Sequence, residues 1–135
     1  MNEPRLMIER LLQATNDHDL EALVACFAED YENATPAHPD RGFRGNGQVR
    51  RNWEQIFAFV PDLRAEVTRS AAEGDVVWSE WEMTGTRRDG SGHCMRGVVI
   101  FGVQDGLAQW ARFYLEPVDL SGRTVDDAVR EQVMR

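Results

Sequence analysis

Few side chains in this 135-residue chain can move a proton near neutral pH, and their placement limits its chemistry. There are three histidines, and imidazole is the group best able to serve as acid or base there. His18 lies in Asn16-Asp17-His18-Asp19, a break between two helical patterns, and reads as a cap or surface residue. His38 falls in the longest irregular segment, Thr35 to Gly47, where it either closes over a pocket mouth or stays solvated. His93 opens an apolar strand and has the parity of Met95, which turns it inward at a sheet rim.

Several other chemistries are poorly served. The histidines have no second ligand at metal spacing, and Cys26 and Cys94 form neither a metal nor a redox motif, so no metal and no cofactor are expected. Gly42, Gly45 and Gly47 do not follow a strong strand, which makes a phosphate loop a weak reading. No nucleophile elbow and no Ser-His-Asp order is present. The net charge of −8 argues against nucleic acid and against an anionic membrane surface. Arg41, Arg44, Arg50 and Arg51 form the densest basic group and read as a solvated face. Without a signal-peptide pattern or a membrane-length apolar run, the expected location is cytoplasmic.

The elements that must position these groups follow from periodicity. Leu6, Ile8, Leu11 and Leu12 predict a first helix after Pro4, and Leu20, Leu23, Val24 and Phe27 predict a second ending by Asp30. Tyr31-Glu32-Asn33 is a short extended piece. Val49, Trp53, Ile56, Phe57 and Val60 predict a third helix that stops before Pro61. Strands are expected at Ala65–Ser70, Val76–Thr86, Met95–Gln104 and Leu107–Glu116, the last two joined at Asp105-Gly106. Thr124–Arg135 carries a weak helical pattern. The expected organisation is one α+β domain over 1–135, with a core at about 4–119 and a C-terminal tail at 120–135.

With those elements in view, LVACFAEDYEN, RGVVIFGVQDG and WARFYLEP resemble the nuclear-transport-factor-2-like superfamily. This is the scaffold of SnoaL-like polyketide cyclases, ketosteroid isomerases and limonene epoxide hydrolases. The resemblance implies a cone: a strongly curved antiparallel sheet packed against three N-terminal helices around a pocket. It also implies a homodimer. In the epoxide hydrolases a tyrosine and an asparagine position the attacking water, and Tyr31 and Asn33 match them. The two aspartates and bridging arginine of that family fall on Trp81, Met83 and Phe113, which cannot transfer protons. A one-residue bulge bringing Glu82 or Arg112 inward would change that. The isomerases' first-strand aspartate falls on Asn33 or Thr35. SnoaL-like cyclases need one acid/base carboxylate. Glu32 and Glu116 are the nearby carboxylates, both expected to face solvent.

Strand alternation sorts the remaining side chains. Glu80 and Glu82 cannot sit unpaired in an apolar interior, so Val77, Ser79, Trp81 and Met83 should face inward. The expected inner wall is then Trp81, Met83, Met95, Val99, Phe101, Phe113 and Leu115, joined by Trp53 from the third helix. Trp78, Val98, Ile100, Trp110 and Tyr114 face outward, an apolar surface suited to pairing two copies through the convex face. Two functions remain open. One is an enzyme acting by proton transfer on a small hydrophobic cyclic or polyketide-like substrate, as cyclase, isomerase or epoxide hydrolase, with Tyr31, Asn33, His38 and His93 as actors. The other is a binding protein that holds such a molecule unchanged. Two ionisable groups meeting at the pocket would favour the enzyme.

Overall fold

The computed structural model describes residues 3–134, so Met1, Asn2 and Arg135 lie outside it, as does the last position of the expected tail helix. The first helix, α1 (Glu3–Asn16), buries Met7, Ile8, Leu11, Ala14 and Thr15 on one face. Its last residue ties it to the sheet. Asn16 donates through Nδ2 to Ala65 O (3.0 Å) and accepts from Ala65 N (2.7 Å). The side chain thus satisfies a backbone pair that an edge strand would leave open.

The second helix is shorter than its periodicity suggests. α2 spans Leu20–Val24 and is capped by Asp19, whose carboxylate accepts from Ala22 N at 3.1 Å. Phe27, expected on its apolar stripe, instead opens β1 (Phe27–Ala34). Cys26, Phe27 and Ala28 are all buried, and Ala108 N donates to Cys26 O. Burial on every side favours a strand pairing into the sheet over an amphipathic helix with one wet face. Within the long loop lie a 3-10 turn at Pro39–Arg41 and a two-residue strand, β2 (Phe43–Arg44). Helix α3 (Asn46–Phe59) follows Gly45, whose φ of 94° is readily adopted only by glycine.

The long strands are β3 (Arg64–Glu73), β4 (Val76–Thr86), β5 (Gly92–Gln104) and β6 (Leu107–Pro117). One curved, unclosed sheet runs β2-β1-β6-β5-β4-β3. Every pairing is antiparallel except β1 with β6, a departure from the all-antiparallel sheet expected. That pair is also irregular: β1 advances from Phe27 to Glu32 while β6 advances from Ala108 to Trp110. Further register shifts fall between Val67 and Arg69 and between Gly102 and Val103. Such bulges add local twist and help an open sheet curl. A last helix, α4 (Val125–Val133), starts with a Thr124–Asp127 capping box and exposes Val125, Val129 and Val133. Among the described residues, no helix is long and apolar enough to cross a membrane.

The alternation on β4 holds. Val77, Ser79, Trp81 and Met83 are buried, while Trp78 and Glu80 are exposed. Pairing of β4 with β5 is unbroken from Val76 opposite Gly102 to Thr86 opposite Gly92. No bulge therefore turns Glu82 inward; it pairs outside with Arg96 at 3.4 Å. Arg112 also stays exposed, its guanidinium 5.4 Å from the Trp110 ring centre.

Candidate active site

The concave face of the sheet and α3 enclose a cavity of about 310 Å³, near the lower end of small-molecule sites. Its floor and walls include Phe27, Phe43, Trp53, Met83, Met95 and Phe113. Beyond it a narrow annex of about 30 Å³ reaches Leu11, Trp81, Val99 and Phe101. Phe27, Trp53, Met83 and Phe113 line both spaces, so the annex is the deep end of one slot. Of the expected inner wall, Trp53, Met83, Met95, Phe113 and Leu115 meet the main cavity. Trp81, Val99 and Phe101 meet only the annex.

Tyr31 and Asn33 sit two residues apart on β1. The phenol donates to Asn33 Oδ1 at 2.7 Å, and both residues line the cavity. Tyr31 is 1% exposed, and burial pushes its hydroxyl well above the usual phenol range. It therefore acts near neutral pH only as a neutral donor. With Oδ1 occupied, the group Asn33 still offers is its NH2.

His38 and Glu116 meet at the mouth. His38 Nε2 lies 2.6 Å from Glu116 Oε1, the histidine from the loop before the 3-10 turn and the glutamate from the end of β6. Glu116 lines the cavity at its mouth, with 42% of its side chain exposed, so it is open to solvent as expected and to the cavity as well. Strand parity holds here, since Glu116 lies opposite the exposed Arg96. The pairing of β1 with β6 ends at Ala34 opposite Arg112, so the end of β6 is an open edge where the Glu116 carboxylate meets His38. Glu32, the other carboxylate, remains outside in an ion pair with Arg44.

His93 lines the same cavity, with the inward parity expected. Burial, reinforced by the charge of Arg87, holds its imidazole below the usual histidine range, so it is neutral at pH 7. His18 is elsewhere, stacked on Phe57 with ring centres 4.5 Å apart and its Nε2 2.9 Å from Leu63 O. That is a structural role between α1, α3 and β3. Among the described residues, no three His, Cys, Asp or Glu side chains cluster as metal ligands would.

The arrangement places a carboxylate–imidazole pair and an oriented amide donor on one apolar slot. Together they can take a proton from a bound molecule and steady the oxygen that gains charge.

Solved structures of the same shape bear on this arrangement. IdmH from Streptomyces antibioticus, a proposed polyketide cyclase, superposes with a TM-score of 0.72 at 24% identity, covering 83% of this chain and 91% of its own. AclR from Streptomyces galilaeus, a proposed hydroxylase, gives 0.75 at 19% identity over 86% and 90%. Rv0760c from Mycobacterium tuberculosis, in complex with estradiol-17beta-hemisuccinate, gives 0.73 at 18% identity over 89% and 96%. At these identities the likeness establishes the fold alone. No curated protein sequence matches the chain. The sequence profile of the SnoaL-like domain, however, matches residues 8–113, from α1 to Phe113 in β6, and the chain belongs to the SnoaL-like family.

Proposed function

We propose that this protein is an enzyme that moves a proton on a small hydrophobic cyclic or polyketide-like ketone. Glu116 is the group facing the cavity, so it takes the proton from the carbon next to the carbonyl. His38 holds Oε1 and leaves Oε2 for substrate. The electrons of the C–H bond move to the carbonyl oxygen, which the Asn33 NH2 steadies as it becomes an enolate. Tyr31 fixes the Asn33 amide in the orientation that presents that NH2. Glu116, now protonated, returns the proton at a second position, and His93, neutral on the same wall, offers the enolate a hydrogen bond. The enolate then either isomerises or closes a ring, outcomes that share this first step.

The observation that carries the reading is the 2.6 Å contact between His38 and Glu116 beside an apolar cavity. The described relatives, one a proposed cyclase and another holding a ring-system ligand, fit the same substrate class. Two copies would pair through the convex sheet face, leaving each cavity free.

The test is hydrogen–deuterium exchange at the activated CH2 of 2-tetralone in D2O, followed by NMR. The protein should accelerate exchange above the buffer rate, and Glu116→Gln should return it to that rate. Binding of 2-tetralone without accelerated exchange would instead support the reading as a ligand-holding protein, which the carbon-lined deep end would also serve.

A further inference from the structure

The polar groups of the slot are bonded in an uneven way, and the unevenness specifies a ligand. At the deep end each one is satisfied internally. Trp81 Nε1 donates to Ser79 Oγ at 2.8 Å, Ser79 donates to Val99 O at 2.8 Å, and Thr15 donates to Leu11 O at 2.7 Å. That end offers a ligand carbon surface and nothing else.

Toward the mouth, the amide oxygens are engaged while amide and guanidinium donors remain, and Glu116 keeps Oε2 for the proton transfer. Asn33 Oδ1 receives the Tyr31 hydroxyl, Asn52 Oδ1 receives Gln48 Nε2 at 2.8 Å, and Glu116 Oε1 is held by His38. Asn33 and Asn52 are left with NH2 groups to present. Arg41 lines the same cavity and has no carboxylate partner among the described residues. If Asn33 serves the reacting carbonyl, Asn52 and Arg41 are two donors, one cationic, with no substrate group assigned to them.

We infer that the substrate is a hydrophobic keto acid, bound ring-first with a carboxylate at the mouth against Arg41 and Asn52. This rests on the proposed reading that the cavity is the substrate site, and it adds a second recognised group. Planar guanidinium and a neutral amide NH2 are both suited to a carboxylate, and the charge-assisted bond is the stronger one. The net charge of −8 does not favour an anion, so local donors must supply the selection; beyond about 8 Å the remaining field is screened at physiological salt. Glu116 is the carboxylate among the lining residues that opposes it, and its pairing with His38 offsets that repulsion.

The test uses three ligands with one ring system: 2-naphthoate, 2-naphthamide and 2-naphthylmethylammonium. Binding is read at pH 7.5 by quenching of tryptophan fluorescence, since Trp53 lines the cavity. The carboxylate should bind about ten-fold or more tighter than the amide, and the ammonium weakest. Arg41→Gln should erase the preference of carboxylate over amide and leave the amide unchanged. Arg112→Gln, on the convex face, should change neither. Equal affinity for carboxylate and amide overturns the inference, as does ammonium binding best, an equal loss of both ligands in Arg41→Gln, or binding of none of the three. Glu116→Gln separates this from the proposed reaction. It should abolish 2-tetralone exchange while leaving naphthoate binding as tight or tighter.

Discussion

His38 and Glu116 are 78 residues apart in sequence and 2.6 Å apart at the cavity mouth. Both side chains keep more than a third of their surface exposed, so the pair contributes only about 0–1 kcal/mol to stability. Its value must therefore be sought in reactivity. His38→Gln and Glu116→Gln should each lower 2-tetralone exchange by about 10²-fold or more, while urea midpoints barely move. Because the two act as a unit, the double variant should be no slower than Glu116→Gln alone. Additive losses would mean that they work independently. A pH profile of exchange that stays unchanged in His38→Gln would remove the histidine from the mechanism.

Tyr31 acts through Asn33. Removing its hydroxyl in Tyr31→Phe frees the Asn33 amide to rotate and costs about 0.5–1.5 kcal/mol of stability, the net worth of one hydrogen bond. Exchange should fall mainly in kcat, with KM nearly constant, because the lost orientation matters most when the oxygen gains charge. Tyr31→Phe should add nothing to Asn33→Ala. A further loss in the combined variant would show that the phenol touches the substrate itself.

These two contacts differ in how far the sequence reveals them. The Tyr31–Asn33 bond joins neighbours on one strand, and period-two alternation is enough to place both residues on one face. The wall formed by Trp81, Met83, Val99 and Phe101 was legible for the same reason, since pairing of β4 with β5 runs without a shift and two glutamates fix which side is wet. Phe27 was misread because i, i+3, i+4, i+7 spacing from Leu20 fits a helix, and only the long-range pairing with Ala108 makes it a strand residue. Glu116 keeps the parity that alternation gives it, opposite Arg96, and its carboxylate also meets the cavity mouth where β6 outruns β1. The partner of His38 was hidden altogether, since nothing local in a Pro- and Gly-rich loop records a contact 78 residues away.

His93 gives a pH dependence whose sign follows from its environment. Burial first, and Arg87 second, hold its folded pKa below the unfolded value of about 6.5. Between those two values the unfolded chain binds a proton that the folded chain does not, so acidification favours unfolding. The contribution of the neutral ring is complete above about pH 6.5 and is lost as pH falls toward the folded pKa. Urea unfolding of the wild type and of His93→Gln should therefore diverge from about pH 7.5 to 5.5, the wild type losing stability relative to the variant. A difference independent of pH would refute the half-buried placement.

The Trp81–Ser79–Val99 chain makes a prediction about the deep wall. Ser79 and Trp81 are both buried, and Trp81 Nε1 has Ser79 Oγ as its acceptor. Ser79→Ala leaves that indole donor without a partner inside the core, at a cost of about 1–3 kcal/mol. Urea denaturation should register the loss. A change below about 0.5 kcal/mol would mean that another acceptor reaches the indole and that the deep end is less dry than its lining indicates.

The convex face carries the remaining prediction. Trp78 is 41% and Tyr114 is 43% exposed. The sheet register sets Trp78 beside Ile100 and Tyr114 beside Val98, which joins them into one apolar patch. Trp110 is not part of the unsatisfied surface, because its ring already lies across Gly102, where even a Cβ would come within 2.0 Å of it. A patch of aromatic and β-branched side chains on a two-fold axis can bury itself against its own copy. Sedimentation equilibrium should give a mass twice the 15.4 kDa of one chain. Trp78→Glu with Tyr114→Glu places like charges against each other across that axis and should yield a monomer. Neither residue lines the cavity, so the monomeric variant should keep 2-tetralone exchange. A wild-type mass of one chain at micromolar concentration would rule out pairing through this face, and a dimeric double variant would place the contact elsewhere.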